Sequence, residues 1–389
     1  MSLELDRSTW KRVAFGDVID SITERVDNPS EAGVERYVGL EHLDPGVMTV
    51  QRWDSPDKVE AQKLRFASRD VIFGRRRAYQ RKVAMAEFEG ICSAHALVLR
   101  ARSNYVDPAF LPVFLSSDYF LDRAIEISVG SLSPTINWRD LKVQEFDLPP
   151  LDQQRRIADL FWAIEGHRLA LRSAQESARS LLSHIRAAMF TVRTDETRAN
   201  ELFHITIGRQ RSPKHENGDY MVPYLRSANV TAQGIGVGDV KSMNFTPKEQ
   251  EKFALKAGDV LVSEASASAL SVGMPAVWRE EIAGVVCFQN TLLRYRAIEG
   301  VSVPAFVEHY CHWAFETGGF LSAASGTNIR HIGVGGATSM KLGRSTIAEQ
   351  RAFVHQASAV NAAIEALNSE QRTLKELVIG LSDEIFGGS

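Results

Sequence analysis

The stretch Leu148-Pro149-Pro150-Leu151-Asp152-Gln153-Gln154-Arg155-Arg156-Ile157 opens the segment that decides the fold. From Asp152 to Phe190 this segment contains no proline and only one glycine. The proline pair suits a helix start, because proline is tolerated in the first helical turn and not beyond it. We therefore predict one uninterrupted helix, roughly 58 Å long at ~1.5 Å per residue. Apolar residues recur along it at every seventh position, the spacing of a helix that packs along a partner helix: Ile157, Ile164, Leu171, Ala178 and Ile185.

The same segment occurs again near the end of the sequence. Glu349-Gln350-Arg351 repeats Gln153-Gln154-Arg155 after 196 residues, and Ile385-Phe386 repeats Met189-Phe190 at the same offset. Any two amphipathic helices look somewhat alike, but an ungapped register over about forty residues favours duplication of one unit. The second set of heptad positions is Phe353, Val360, Leu367, Leu374 and Leu381.

Length and composition are those of a globular protein with more than one domain. The chain has 389 residues, of which 44% are hydrophobic and 24% charged, so two copies of a unit of about 195 residues fit it. Its three cysteines form no paired motif, which suits a reducing compartment. No apolar run predicts a membrane span or a signal peptide, so we expect a cytoplasmic protein. A net charge of −3 argues against a general nucleic-acid coat and leaves room for local basic patches.

The residues before each long helix predict a mixed domain of short strands and helices. Strands are predicted at residues 70–73 and 94–99, and a helix at residues 108–127. The second half repeats this order: residues 224–230 correspond to residues 37–43, and Cys287 corresponds to Cys92. The predicted limits are a first domain over residues 1–150, a first helix over 151–196, a second domain over 197–345 and a second helix over 346–389.

With these residues in view, the chain resembles the specificity subunit of a type I restriction–modification system. Asp70-Val71-Ile72-Phe73-Gly74-Arg75-Arg76-Arg77-Ala78-Tyr79, followed by Gly90-Ile91-Cys92-Ser93, is similar to the central signature of that family's target recognition domains. Residues 148–157 resemble its Leu-Pro-Pro-Leu-x-x-Gln-x-x-Ile junction. The second copy departs from that junction at Gly343-Arg344-Ser345-Thr346-Ile347, which leaves the start of the second helix open.

The resemblance implies an α+β fold in which two mixed α/β target recognition domains form a pseudo-twofold repeat, separated by two long antiparallel coiled-coil helices. Each domain would read one half of a bipartite, asymmetric double-stranded DNA sequence. The helices would dock modification subunits, which carry S-adenosylmethionine and methylate adenine. A separate restriction subunit, using ATP and Mg, would cut unmethylated DNA. The docking residues expected on the helices are Gln154, Arg155, Ile157, Ile164, Gln350, Arg351, Phe353 and Val360.

One run of residues is a strong candidate for DNA contact on its own chemistry. Residues 75–82 contain five basic side chains and no acidic one. Arginine can hold phosphates or pair with guanine through two hydrogen bonds, Gln80 can read adenine, and Tyr79 can stack. The alternative is a solvated hairpin tip. The candidate residues of this run are Arg75, Arg76, Arg77, Tyr79, Gln80, Arg81 and Lys82.

The second half offers fewer candidates. Ser263-Glu264-Ala265-Ser266 stands where the arginine run stood, as expected if the two domains read different bases. The remaining polar residues lie in loop-like settings and can equally be ordinary surface loops. The candidates are Arg209, Arg211, Lys214, Arg226, Asn229, Asn328 and Arg330.

No pattern predicts catalysis. His309 and His312 are metal-ligand types without a second ligand pair nearby, and His95, between apolar neighbours, is predicted to be buried. The sequence has no GxxxxGK[ST] phosphate loop, no Asn-Pro-Pro-aromatic methyltransferase motif and no nucleophile–base arrangement. We predict a non-catalytic recognition subunit that binds no metal or cofactor itself. The alternatives are a coiled-coil scaffold that binds protein instead of DNA, and an enzyme with an unrecognised site.

Overall fold

The computed structural model describes residues 5–192, 194–266, 271–326 and 330–387. The chain divides into two compact units. The first unit comprises residues 1–173 and 368–389, and the second comprises residues 174–367. Each long helix therefore contributes residues to both units. In the described part of the chain, no helix combines the length and the hydrophobicity that a membrane crossing requires.

Both long helices form as the repeat predicts. The first long helix is Leu151–Phe190 and the second long helix is Ile347–Phe386, each of 40 residues. A capping box replaces the proline pair at the second start: Thr346 N donates to the Glu349 carboxylate (2.7 Å), and Glu349 N donates to Thr346 Oγ1 (3.3 Å). This explains how the second helix keeps the register of the first without the Leu-Pro-Pro-Leu junction.

The first unit combines three sheets with short helices. Its sheets have the strand orders β2-β9-β6-β7, β3-β5-β8-β4 and β1-β10. The strands are β1 (Lys11–Ala14), β2 (Ile19–Ile22), β3 (Arg25–Val26), β4 (Tyr37–Val38), β5 (Lys63–Phe66), β6 (Val71–Gly74), β7 (Val83–Met85), β8 (Gly90–Ser93), β9 (Ala96–Ala101) and β10 (Glu145–Leu148). The shorter α-helices are Phe15–Val18, Phe110–Ser116, Asp118–Glu126 and Trp138–Leu141. The single helix predicted over residues 108–127 is therefore wrong: Ser117 ends one helix and caps the next, accepting a hydrogen bond from Phe120 N (3.3 Å).

The second unit is built in the same way. Its described sheets have the orders β12-β21-β17-β19, β16-β13-β20, β11-β23, β14-β15 and β18-β22. The strands are β11 (Glu196–Arg198), β12 (Phe203–Ile207), β13 (Met221–Leu225), β14 (Val230–Thr231), β15 (Gly234–Ile235), β16 (Lys241–Asn244), β17 (Val260–Ser263), β18 (Ala265–Ser266), β19 (Pro275–Val277), β20 (Cys287–Phe288), β21 (Leu292–Ala297), β22 (Arg330–His331) and β23 (Lys341–Gly343). The shorter α-helices are Ala199–Leu202, Pro247–Phe253, Pro304–Glu316, Gly319–Ala323 and Gly333–Ser339.

The two units repeat the same internal bonds. In the first unit Arg100 Nε lies 2.6 Å from Asp70 Oδ1, and in the second Arg296 Nε lies 2.6 Å from Asp259 Oδ1. Both carboxylates are buried beside the central strands of their sheets. The duplication confirms the predicted α+β fold with a repeated mixed domain.

One predicted correspondence is wrong by a single residue. Strands β9 and β21 start at Ala96 and Leu292, an offset of 196 residues. In the parallel strand pairs, Cys92 lies opposite Val38 and Phe288 lies opposite Leu225. Cys92 therefore corresponds to Phe288, because sequence alone could not distinguish adjacent apolar positions of a fully buried strand.

The long helices run antiparallel within each unit. In the first unit, His167 Nε2 lies 2.8 Å from Glu370 Oε1, while Ile157 shares a core with Ile385 near the end of the second long helix. In the second unit, the rings of Phe190 and Phe353 lie 5.3 Å apart, which brings the end of the first helix beside the start of the second. Heptad residues of both helices thus pack into the core of their own unit: Ile157 and Leu381 in the first, and Ala178, Ile185, Phe353 and Val360 in the second.

Candidate nucleic-acid interface

Residues 75–82 form the loop that connects the antiparallel strands β6 and β7, and we call it the arginine loop. Two backbone bonds tie it to the neighbouring segment: Arg77 N donates to Pro134 O (2.8 Å), and Ile136 N donates to Arg75 O (2.9 Å). Arg77 and Arg81 both have φ of 54°, in the left-handed region that residues with side chains seldom adopt. The backbone of the arginine loop is therefore held in a defined conformation by hydrogen bonds to residues 134–136.

Some side chains of the arginine loop bind other residues in the described part of the chain, and the others have no such partner there. Lys82 Nζ donates to Leu40 O (2.6 Å), and Arg81 forms an ion pair with Asp118. Within the described residues, the side chains that make no hydrogen bond or ion pair are those of Arg75, Arg76, Arg77, Tyr79 and Gln80. Arg76, Arg77 and Tyr79 are exposed, whereas Arg75 and Gln80 are half-buried. The loop therefore presents unneutralised positive charge and an aromatic ring to solvent.

His95 lies near the arginine loop, in the turn between β8 and β9. Its predicted burial is wrong, because this turn projects from the sheet and leaves the ring exposed. Partial burial and then the charges of Arg76 and Arg75 lower the pKa of His95. A neutral imidazole offers both a donor and an acceptor beside the arginines. The sequence did not reveal that His95 is exposed, because over a few residues a tight turn can show the same alternation of apolar and polar residues as a strand.

An exposed apolar tip also adjoins the arginine loop. Val129 and Thr135 exchange two backbone hydrogen bonds of 3.0 Å, and Gly130 starts the turn between them with φ of 113°. Leu132, in that turn, is 92% exposed. An apolar side chain beside basic groups suits contact with thymine methyl groups. The sequence offered no signal for it beyond a loop.

Two of the predicted residues in the second unit support the fold instead of facing solvent. Arg209 is nearly buried, paired with Glu249 (2.9 Å) and placed over the ring of Phe245 (5.0 Å). Asn229 is buried, and its Nδ2 donates to Gly236 O (2.9 Å) and Asp239 O (3.2 Å). Asn229 thus uses both of its donors internally, and Arg209 is held inside the unit by its ion pair.

Two other predicted residues, Arg211 and Arg226, meet in a surface groove of about 510 Å³, which we call the basic groove. Lys241 and Gln289 join them there, brought in by strand pairing that no sequence motif signals. Arg211 pairs with Glu216 (3.0 Å), at the groove's edge. The groove is also lined by Tyr224, Ser242 and Met243.

Two further predicted residues of the second unit, Lys214 and Arg330, do not line this groove. Lys214 and Arg330 are exposed, and Asn328 lies outside the described residues. Where the first unit has the arginine loop, Glu264 is buried and lies 3.1 Å from His331 Nδ1.

Four of the eight residues expected to dock partner subunits are buried within their own unit. The four buried side chains are those of Gln154, Ile157, Gln350 and Phe353. This corrects the expectation for these four, because their side chains are enclosed within their own unit and cannot reach a separate subunit. Ile164 and Val360 are half-buried, and Arg155 and Arg351 are exposed.

His309 and His312 lie on one helix, within the second unit. Arg186 Nε donates to His309 Nδ1 (3.3 Å). Burial, followed by the charge of Arg186, lowers the pKa of each histidine to about 4. Among the residues that the structure describes, no group of three or more His, Cys, Asp or Glu is placed to hold a metal ion.

The chain is similar to a known protein family and to a curated relative. Residues 7–177 match the model of the type I restriction modification DNA specificity domain. The EcoDI type I restriction enzyme specificity subunit of Escherichia coli is 26% identical over 160 residues, and the match covers 40% of this chain and 35% of that subunit. The chain thus matches about a third of the length of that curated relative.

Two solved structures share the fold over almost the whole chain. One is from a study of complex assembly and conformational transition in the type I R-M system, with a TM-score of 0.59, 21% identity and 97% coverage of both chains. The other is the type I restriction-modification system S subunit from M. genitalium, with a TM-score of 0.57, 14% identity and coverage of 100% and 98%.

Proposed function

We propose that this chain, whose residues 7–177 belong to the type I restriction modification DNA specificity domain family, reads double-stranded DNA as the specificity subunit of a type I restriction–modification complex. The arginine loop is the observation that carries the proposal. Its backbone is held by hydrogen bonds to a neighbouring segment, while the side chains of Arg76, Arg77 and Tyr79 remain unpaired and exposed. Such side chains can hold phosphates and contact base edges, which position a reader and specify its sequence.

The duplicated fold supports a bipartite and asymmetric target. Both units have the same central sheet order, yet the segment after its third strand differs: it is the arginine loop in the first unit and starts with Glu264 in the second. Exposed arginines favour guanine and phosphate, whereas the buried Glu264 is bonded to His331 and leaves base contacts in the second unit to other side chains. Two units with such different side chains would read different half-sites.

The partners follow from the same proposal. Modification subunits would dock on the exposed faces of the long helices, where Arg155 and Arg351 lie, because the apolar heptad positions are buried or half-buried within the chain. They would carry S-adenosylmethionine, and the restriction subunit would bind ATP and Mg. This chain would contribute recognition and no chemistry of its own.

The test is selection of bound duplexes from a random pool by the full-length chain, with and without its modification subunit. We expect enrichment of one gapped, asymmetric sequence and binding that weakens steeply as salt rises. A coiled-coil scaffold would enrich no sequence and would bind its partners with little dependence on salt. That outcome would overturn the proposal.

A further inference from the structure

The two units place their positive charge at different positions of the same fold. Tyr37 of the first unit pairs across the backbone with Asp54, and the corresponding Tyr224 of the second unit pairs with Lys241. After the central strands the difference is reversed, since the first unit has the arginine loop and the second has Glu264. Beside this tyrosine the second unit therefore has cations, in the basic groove, where the first unit has a carboxylate.

The basic groove is held by strand pairing. Lys241 lies on β16 opposite Tyr224 of β13, and Gln289 N donates to Leu225 O (2.8 Å), directly after β20. The Gln289 side chain makes no hydrogen bond within the described part of the chain. The cations Arg226 and Lys241 and the amide of Gln289 thus line the same groove, and strand pairing fixes the positions of Lys241 and Gln289.

One carboxylate, Asp239, holds both of those cations. Its Oδ1 lies 2.8 Å from Lys241 Nζ, and its Oδ2 accepts from Arg226. The side chain is 63% exposed, in the turn before β16, and the buried Asn229 donates to its backbone carbonyl (3.2 Å). Two oxygens that each bind one cation reproduce what two non-bridging phosphate oxygens would do. Exposed ion pairs are weak, so a polyanion can displace this one.

We propose that the basic groove binds a backbone phosphate of double-stranded DNA between Arg226 and Lys241, and that Asp239 occupies the phosphate position in the absence of DNA. This inference rests on the proposed function. The internal carboxylate competes with every DNA phosphate alike, and so limits binding to random sequence. Gln289, beside the two cations, is placed to reach a base edge once the phosphate is bound.

The experiment measures the affinity of the full-length chain for a fluorescent random-sequence duplex between about 50 and 200 mM salt. For Asp239→Asn, which keeps the side-chain shape, we expect about fivefold tighter binding at low salt and a slope of log affinity against log salt steeper by about 1. For Lys241→Gln we expect weaker binding and a shallower slope.

Matched variants control for net charge. Asp195→Asn removes an exposed carboxylate that pairs with Arg344 (3.4 Å), and Lys341→Gln removes a lysine that pairs with Glu196 (2.6 Å), both outside the groove. We expect each to change affinity by less than about twofold, as exposed pairs of this kind contribute little. If Asp239→Asn matches Asp195→Asn and Lys241→Gln matches Lys341→Gln, the groove proposal is wrong while the proposed function stands. If the unaltered chain binds no duplex, the proposed function fails, and the groove proposal with it.

Discussion

Gln154 and Gln350 make the same three hydrogen bonds, each within its own unit. Gln154 accepts from Asp107 N (2.8 Å) and donates to Tyr105 O (2.9 Å) and Pro149 O (2.8 Å). The partners of Gln350 are offset by the same 196 residues: Val303 N (3.2 Å), Val301 O (3.1 Å) and Ser345 O (3.5 Å). Each glutamine thus binds the first turn of a long helix to the loop that precedes a shorter helix, Phe110–Ser116 in the first unit and Pro304–Glu316 in the second.

Removing either glutamine side chain should destabilise its unit. Gln154→Ala leaves buried backbone groups without partners, so we expect a loss of about 1–3 kcal/mol in the free energy of unfolding. Chemical denaturation of the full chain measures it. The nearby Arg156 is exposed and provides the control, with an expected change within about 0.5 kcal/mol for Arg156→Ala. Equal effects of the two substitutions would show that the hydrogen bonds contribute nothing.

Unpaired arginines of the arginine loop should matter for DNA, and the paired one should not. Arg76→Gln should weaken duplex binding and reduce the salt slope by about 1, because one phosphate contact is lost. Arg81→Gln is the matched control, since Arg81 already pairs with Asp118. Binding isotherms over a salt series compare them. A larger effect at Arg81 than at Arg76 would contradict the assignment of the DNA-facing side chains.

Stability should depend on pH through the buried histidines. Their pKa is lowered from 6.5 to about 4, so the unfolded chain binds more protons between these values. Stability is therefore full above pH 6.5 and falls as the pH approaches 4, by at most about 3 kcal/mol per histidine. His309→Asn keeps an acceptor for Arg186 and should remove part of this dependence. If the free energy of unfolding falls equally for His309→Asn and for the unaltered chain between pH 6.5 and 4, the explanation is wrong.

The length of the long helices should set the gap between half-sites. Each long helix contributes residues to both units, so inserting one heptad in each adds about 10 Å of helix. We expect the preferred gap to grow by about three base pairs, at about 3.4 Å per pair. Duplex selection with the lengthened chain measures the gap. Retained binding with an unchanged gap would contradict a spacing role for the helices.

Sequence reasoning succeeded where a pattern extends over many residues. The long helices were located to within one residue at their starts, because a heptad repeat without proline has no other regular structure available to it. The arginine loop was also singled out, since five cations among eight residues are conspicuous. The sequence departure at residues 343–347 did not reveal that Thr346 and Glu349 would supply the missing helix start.

Reasoning from sequence failed where the third dimension decides a side chain's role. Lys241 and Gln289 carry no motif and reach the groove only through strand pairing. Asn229 and Arg209 have the chemistry of DNA contacts but are consumed by internal bonds. Apolar heptad residues predict a partner helix without saying which one, and here the chain supplies it itself.

Adenine methylome sequencing tests the central claim most directly, in cells that express this chain with its modification subunit. The account predicts one gapped, asymmetric methylated motif, with Arg76→Gln and Arg77→Gln together relaxing one half of it and leaving the other intact. Methylation by an active modification subunit that shows no gapped motif, or a motif that is unchanged when this chain is deleted, would contradict it.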